Sequence, residues 1–481
     1  MELVTKKAMK CIQEADVIVY DNLIDISLLN YASLNTELIY AGKEAANHYL
    51  SQGSIIELLM DKAREGKYVV RLKGGDPYLF GRGSEEALAL KEAGISYEIV
   101  SGVTSSIAVP AYAGIPVTDR RFVSSCHIIT AHREDEAGID FENISKLEGT
   151  LVFMMGLAKL HHIVQGLTLH GKASDTPVAV LSDGSRYNRR KCVGTLADIE
   201  EKVKEARLLP PAIIVVGEVV SLSNELDNFL ERYSDKKLFR KKILLTGTRY
   251  ICHKIKAALA DEGCDIDEIS IIESVPIESD FYNNIEKYIE SHDYLVFSSA
   301  NGIRVFFEKL KELHNVDLRK LSNIKFAVIG KGSAQTLRNY GYIADFVPSS
   351  FSNKDLAVEL CKQLKDEKLL LLRAREASTE LVEELEANKV EYTDVPLYET
   401  FRDYRRTFDI KRLIKNYDYV VVASSITAHT LCEMVEDKAV LEGRVVSIGP
   451  VTTGTCKRLG VETLMSAREY SVDGIVRALL Q

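Results

Sequence analysis

Between Tyr68 and Gly94 the chain passes from a β-branched stretch (Tyr68, Val69, Val70) through RLKGGDPYLFGRG into the helical pattern SEEALALKEAG. A strand, a glycine-rich turn and a helix in that order is the building unit of an α/β fold. Gly74 and Gly75 admit backbone dihedrals that a Cβ forbids and let a ligand approach the main chain. Asp76 and Pro77 fix the exit from the turn. A Gly-Gly-Asp-Pro turn is by itself only a turn; its length and its flanking Lys73, Phe80 and Arg82 make this one distinctive.

The same alternation runs through the first half. DVIVYD, ELIYAG, KYVVRLKGG and SYEIVSG read as strands, separated by helical stretches such as SIIELLMDKAREG with apolar residues at three- and four-residue steps. This predicts a parallel sheet over about 1–123. After AYAGIPVTDRR the pattern restarts with SCHIITAH, TLVFMMG, TPVAVLSDGS and PAIIVVGEVV, which predicts a second, smaller α/β lobe over about 124–222. Residues 223–240 are charged, carry no strand pattern and read as a helical linker. From KKILLTG onward one theme repeats: a hydrophobic strand, small polar residues, then a helix (LVFSSANGIRVFF, FAVIGKGSAQTLRNYG, YVVVASSITAHTL, VVSIGPVTTGTCKRLG). Two similar lobes of open parallel sheet are expected there.

At 481 residues the chain is too long for one ordinary core. No apolar run approaches the roughly 20 residues that cross a bilayer, and the amphipathic start MELVTKKAMKCIQEAD is not a signal peptide. A net charge of −9 argues against a general nucleic-acid surface and requires local groups to meet any acidic substrate. The eight cysteines are scattered, with no zinc-like spacing, and predict reduced thiols in a cytoplasmic protein.

In open parallel sheets ligands sit beyond the carboxyl ends of the strands. Asp21, Lys43, Gly74, Gly75, Asp76, Thr104, Ser105, Met155 and Gly184 all follow predicted strands. Each has an ordinary structural role open to it. Asp21, Thr104 and Ser105 suit helix caps, Lys43 suits a solvated surface, and Met155 suits core packing.

Residues 1–222 resemble uroporphyrinogen-III C-methyltransferase, of the tetrapyrrole methylase family. The resemblance rests on EADVIVYDNLI, YAGKEA, VVRLKGGDPYLFGRG, SGVTSSIAVPAYAGIPVTDR, TLVFMMGLA, DTPVAVLSDGS and PAIIVVGEVV. It implies a two-lobed class III methyltransferase fold with S-adenosylmethionine in the cleft. The implied cofactor contacts are Gly74, Gly75, Asp76, Leu79, Thr104, Ser105, Met155 and Gly184, with Asp21 as general base and Lys43 as proton donor. The family also suggests a homodimer through this half. Arg82, Arg120, Arg121 and Arg133 are candidate partners for substrate carboxylates, since guanidinium groups bind these bidentately; surface charge is the competing role.

One departure stands out. The family opens with a strand and a Gly-x-Gly-Pro-Gly-Asp loop, and Met1 falls where that loop would end. Without that strand, two others are expected to lack a partner. Two explanations are open: further residues upstream, or a half that binds tetrapyrrole without methylating it. The intact remainder of the motif set favours the first.

Residues 241–481 resemble uroporphyrinogen-III synthase through FSSANGIRVFF, AVIGKGSAQTL, PLYET, VVVASSITAH and SIGPVTTGT, in the family's order. This implies two parallel α/β lobes, about 241–277 with 402–481 and about 278–401, joined by a two-strand connector. Each repeated turn places Ser, Thr or Gly at a helix N-terminus, where unpaired N–H groups favour carboxylates. Ser298, Ser299, Ser424 and Thr452 also suit plain caps. The implied reaction closes hydroxymethylbilane to uroporphyrinogen III with inversion of the last ring. Tyr398 is the candidate donor to the departing hydroxyl, unless it is a plain connector residue with its hydroxyl in water, and Ser333 and Thr452 are its polar neighbours. The first half would then methylate that product to precorrin-2, the entry to siroheme and cobalamin. The alternative is that only the second half is active. No G-x-G-x-x-G turn is present, so later dehydrogenation and metal insertion are expected on other proteins.

Overall fold

The computed structural model describes residues 2–42, 50–131, 138–313, 317–350 and 352–481. Lys43 and Arg133 lie outside the described residues. Four sheets organise the rest.

The first sheet contains β1 (Val17–Tyr20), β2 (Glu37–Tyr40) and β3 (Val69–Leu72), all parallel in the order β2-β1-β3. The apolar run VIVY makes β1 fully buried on both faces, as a central parallel strand requires. Val17 and Val19 pack on Ile55 and Leu59 of helix α2 (Gln52–Arg64). Ile18 and Tyr20 face the other way, with Ile12 of helix α1 (Lys6–Glu14). Two further helices, α3 (Gly83–Glu92) and α4 (Ser105–Tyr112), complete the lobe.

The segment SYEIVSG, expected as a strand, is not one: residues 95–104 form neither helix nor strand. Among the described residues β3 pairs only with β1, so its other edge is bare. A strand needs a neighbouring ladder to be held, and here both β3 and residues 96–103 border open cleft instead.

The second sheet holds β4 (Cys126–Thr130), β5 (Thr150–Met154), β6 (Pro177–Ser182), β7 (Arg190–Thr195) and β8 (Ala212–Val216), in the order β4-β5-β8-β6-β7. Only β4 and β5 run parallel; the other pairs are antiparallel. The short connection between β6 and β7 permits a hairpin, whereas a parallel pair would need a crossover of about a dozen residues. Residues 223–240 include the short helices Ser223–Leu226 and Phe229–Tyr233. They pack down: Phe229 and Tyr233 are buried, and the Arg189 guanidinium sits 3.7 Å over the Phe229 ring.

The rear strands are β9 (Lys242–Gly247), β10 (Asp265–Ser270), β11 (Ile272–Pro276), β12 (Tyr294–Phe297), β13 (Lys325–Val328), β14 (Leu369–Ala374), β15 (Tyr392–Arg402), β16 (Tyr419–Val422), β17 (Val445–Ser447) and β18 (Thr463–Ser466). One all-parallel sheet has the order β10-β9-β16-β17-β18. The other has the order β11-β15-β14-β12-β13, parallel except for the antiparallel pair β11 and β15, which links the two lobes.

Front and rear halves share a core. Ile18, Tyr20, Ile26 and Leu29 belong to one apolar cluster with Leu244, Ile269, Ile410 and Tyr417. The 3-10 segment Ile26–Tyr31 lies along the edge strand β10: Glu268 N donates to Ser27 Oγ (2.9 Å), Asn30 Nδ2 to Glu268 O (2.9 Å) and Ser270 N to Asn30 Oδ1 (3.1 Å). Side chains of the front thus cover an edge that would otherwise invite another strand. Behind them Arg406 and Asp409 are fully buried and paired at 3.2 Å. Arg406 also donates to Asn30 Oδ1 (2.7 Å) and Ile26 O (3.2 Å), and Tyr20 Oη donates to Asp409 Oδ1 (3.0 Å). Burial and the Asp409 carboxylate push the Tyr20 phenol up, so it stays a donor.

Candidate functional site

One cleft of about 2910 Å³ opens between the two front lobes and reaches the first rear lobe. Asp21 lies at its edge, at the carboxyl end of β1. It caps no helix: Oδ1 accepts from Leu23 N (2.9 Å), closing a turn, and Oδ2 accepts from Arg71 Nη2 (3.3 Å). Arg71 also approaches Glu86 Oε1 (3.5 Å), which accepts from Lys73 Nζ (3.0 Å) and Gln52 Nε2 (3.1 Å). Glu86 is buried on α3, so this cluster offsets the cost of a charge out of water. Our reading of the sequence missed Arg71 and Glu86; an arginine inside a β-branched strand was the available signal.

The turn after β3 is set by close backbone contacts. A Cβ at Gly74 would stand 2.8 Å from Leu23 O, and Gly75 has φ +75°. Asp76 Oδ1 accepts from Tyr78 N (2.9 Å) and Oδ2 from Gly102 N (3.1 Å), tying the turn to the segment before α4. A Cβ at Gly102 would meet Gly75 O at 2.1 Å. Thr104 does cap α4, accepting from Ser106 N (3.3 Å), and Ser105 is the first helical residue. From the second lobe Met155 enters with φ 55° and its side chain half-exposed, not packed in the core. Gly184 follows β6, where a Cβ would stand 2.2 Å from Val109 of α4.

Gly74, Gly75, Leu79, Ser105, Met155 and Gly184 therefore line the same cleft as Asp21. Asp76 and Thr104 stand just behind and hold the lining backbone. The glycine contacts leave bare main chain facing a concave space, a shape that suits a flat ligand with polar edges. Of the candidate arginines, Arg82 forks onto Glu85 (2.8 and 2.8 Å) and Arg121 onto Asp119 (2.9 and 3.0 Å), while Arg120 is exposed. The Arg121 guanidinium holds the Asp119 carboxyl down at about 2.

In the rear half Tyr398, on β15, is buried rather than set in water, and its hydroxyl is 2.8 Å from Ser299 Oγ. Burial pushes the phenol up, against the opposing pull of the Ser299 bond. Ser299 follows β12 and caps the helix Ala300–Glu312, accepting from Gly302 N (3.0 Å); Ser298 precedes it. Ser333 is buried in the first turn of the helix Lys331–Asn339, after β13. Ser424 and Thr452 follow β16 and β17 of the other rear sheet. Ser424 caps its helix through Thr427 N (3.1 Å), whereas the Thr452 hydroxyl is buried with no hydrogen-bond partner among the described residues. Arg304 and Tyr250, which our sequence reading passed over, meet where the two rear lobes approach: the guanidinium lies 4.0 Å over the ring.

Residues 1–200 match the family model described as tetrapyrrole (corrin/porphyrin) methylases, and residues 253–477 match that of uroporphyrinogen-III synthase HemD. These two matches, on the two halves of the fold, define a two-part α/β protein of tetrapyrrole metabolism. The porphyrin biosynthesis protein HemD of Ruminiclostridium josui is 34% identical over 486 residues, covering 100% of this chain and 95% of that protein. The uroporphyrinogen-III C-methyltransferase of Methanocaldococcus jannaschii is 49% identical over 223 residues, 46% of this chain and 92% of that one. A solved uroporphyrin-III C-methyltransferase of Thermus thermophilus, complexed with S-adenosylhomocysteine, is 33% identical over 46% of this chain and 94% of its own, with a TM-score of 0.40. The chain belongs to the family of porphyrin biosynthesis proteins in which a tetrapyrrole methylase part precedes a uroporphyrinogen-III synthase part.

Proposed function

We propose that the rear half closes hydroxymethylbilane to uroporphyrinogen III with inversion of ring D. The front half then methylates that product with S-adenosylmethionine to give precorrin-2, feeding siroheme and cobalamin formation. The observation that carries this reading is the convergence of Gly74, Gly75, Ser105, Met155 and Gly184 on one cleft beside Asp21.

S-adenosylmethionine, when bound, supplies an electrophilic methyl group. The chain's own residues do the rest. The bare backbone at Gly74, Gly75 and Gly184 gives the donor room to lie against the main chain, and the cleft aligns the attacking pyrrole carbon with it; positioning supplies most of the rate. As the attacking carbon gains the methyl group, positive charge builds on the macrocycle, and Asp21 takes the proton that the macrocycle then releases, with Arg71 holding the carboxylate in place. Lys43 is the proposed proton donor of this site. In the rear half the Tyr398 hydroxyl, kept protonated by burial, donates to the departing hydroxyl of hydroxymethylbilane, with Ser299 orienting it. Ser333 and Thr452 are its proposed polar neighbours. Self-association through the front half is part of the same reading.

The test is incubation of the full chain with hydroxymethylbilane and methyl-labelled S-adenosylmethionine. A dimethylated product is expected. Ring closure without label would leave only the rear half active, and label appearing only with a later corrinoid intermediate would reassign the methyl acceptor.

A further inference from the structure

The front cleft has two walls, and the rear half grips both from behind. One wall is the turn after β1, residues 21–25. Arg412, on the rear helix Thr407–Leu413, donates to Asn22 Oδ1 within that turn. The same guanidinium lies 4.6 Å over the Tyr40 ring and donates to Asp409 Oδ1 at 3.3 Å. Asp409 in turn accepts from Tyr20, the last residue of β1.

The other wall is the β6–β7 loop, which carries Gly184. Tyr187 N donates to Asp265 Oδ1 (2.9 Å) and Asn188 N to Asp265 Oδ2 (3.2 Å). Asp265, the first residue of β10, is buried, and Tyr187 Oη donates to Ala260 O (3.2 Å). Arg186 stands 3.7 Å from Asp267, which accepts from Tyr417 Oη (2.8 Å). Asp265 and Arg412 thus belong to one rear lobe, whose strand β10 and Tyr417 also line the cleft.

The two lobes meet directly at α4 and the residues just after it, where Val109, Ala113 and Ile115 join an apolar cluster with Val152, Ala179 and Val215 of the second lobe, and their wall loops are tied again from the rear. Here a third body is bonded to each wall, and a displacement of about 1 Å is enough to cost a factor of 10² in a positioned reaction. We propose that Asp265 and Arg412 are positioning residues of the methyl-transfer cleft: the rear half sets the spacing of the front half's walls and thereby the affinity for the methyl donor. This rests on the S-adenosylmethionine reading of that cleft.

The test titrates S-adenosylhomocysteine into the full chain by calorimetry. The variants are Asp265→Ala, Asp265→Asn, Arg412→Ala and Arg412→Lys. Arg405→Ala is the control: Arg405 crosses the same interface to Ser33 O (2.8 Å) and Thr36 O (2.7 Å) but touches neither wall. Asp265→Ala and Arg412→Ala are expected to raise Kd about tenfold, the worth of a single charge-assisted hydrogen bond. Ring closure of hydroxymethylbilane should stay unchanged. Asp265→Asn, which keeps one acceptor, and Arg412→Lys, which keeps the charge, should recover part of the affinity. Arg405→Ala should lower Tm without moving Kd. Affinities within about twofold of wild type, or an equal loss in Arg405→Ala, would overturn the inference alone. Absence of binding by the wild-type chain would remove the methyl-donor reading and the inference with it.

Discussion

Replacing Arg406 by Ala removes the centre of the bonding between the halves. Its guanidinium makes three hydrogen bonds, to Asp409 Oδ2 (3.2 Å), Asn30 Oδ1 (2.7 Å) and Ile26 O (3.2 Å), two of them crossing from rear to front. Asp409 is left fully buried with Tyr20 and Arg412 as its remaining partners. Removing one member of a buried ion pair costs about 3–5 kcal/mol, because the other charge stays out of water. That is a large fraction of the roughly 5–15 kcal/mol that holds a typical domain. The chain has no tryptophan, so urea unfolding is best followed by far-UV circular dichroism. Hydrogen exchange should be read in parallel at Ile26–Tyr31 and β10. The midpoint should fall, and protection should drop in both segments together. The double replacement Arg406→Leu with Asp409→Leu should recover part of the loss, since no fully buried charge is left; Arg412 loses Asp409 but keeps Asn22 and the Tyr40 ring. A change below about 1 kcal/mol, the scale of a surface pair, would refute the reasoning. So would protection lost on one side only.

Other consequences are open to direct measurement. Gly102→Ala forces a Cβ to within 2.1 Å of Gly75 O and should weaken S-adenosylhomocysteine binding while sparing ring closure; unchanged binding would mean the Gly74–Asp76 turn is not part of the donor site. Asp21→Asn should slow methyl transfer by about 10²–10⁴, the range for loss of a positioned base, and leave the rear activity alone; equal loss of both would argue against separate sites. Tyr398→Phe should slow ring closure by about tenfold, the worth of one hydrogen bond to the departing group, with substrate binding retained. Burial pushes the Cys264 thiol up to about 12 and the Cys456 thiol up to about 11, so at pH 8 both should resist iodoacetamide in the folded chain and react once it is unfolded.

Much of the fold could be read from local pattern because the informative segments carry their own periodicity. VIVY, VVRL and YVVV are strands in the structure as their composition suggests. The Arg71–Gly83 turn announced a cleft wall, since glycines where a Cβ would strike main chain leave little other use. Three features were not legible, each for a reason that is not local. Residues 95–104 have strand composition but, among the described residues, no neighbouring strand to bond to. The antiparallel pairing of β6 with β7 depends on a short loop that reads as a generic polar turn. DYRRTFDIKRL is rich in charge, yet Arg406 and Asp409 are among its most deeply buried residues, because the front half supplies Asn30, Ile26 and Tyr20 opposite them. Tyr398 was found by resemblance; its burial and its Ser299 partner emerge only when β15 is set beside β14, with β12 on the far side of β14.

The most direct test of the account is a crystal structure of the full chain with S-adenosylhomocysteine. The account predicts the ligand in the cleft between the two front lobes, against Gly74, Gly75 and Gly184, with its sulfur directed toward the Asp21 side. Ligand bound elsewhere, or a cleft that stays empty at saturating concentration, would contradict it.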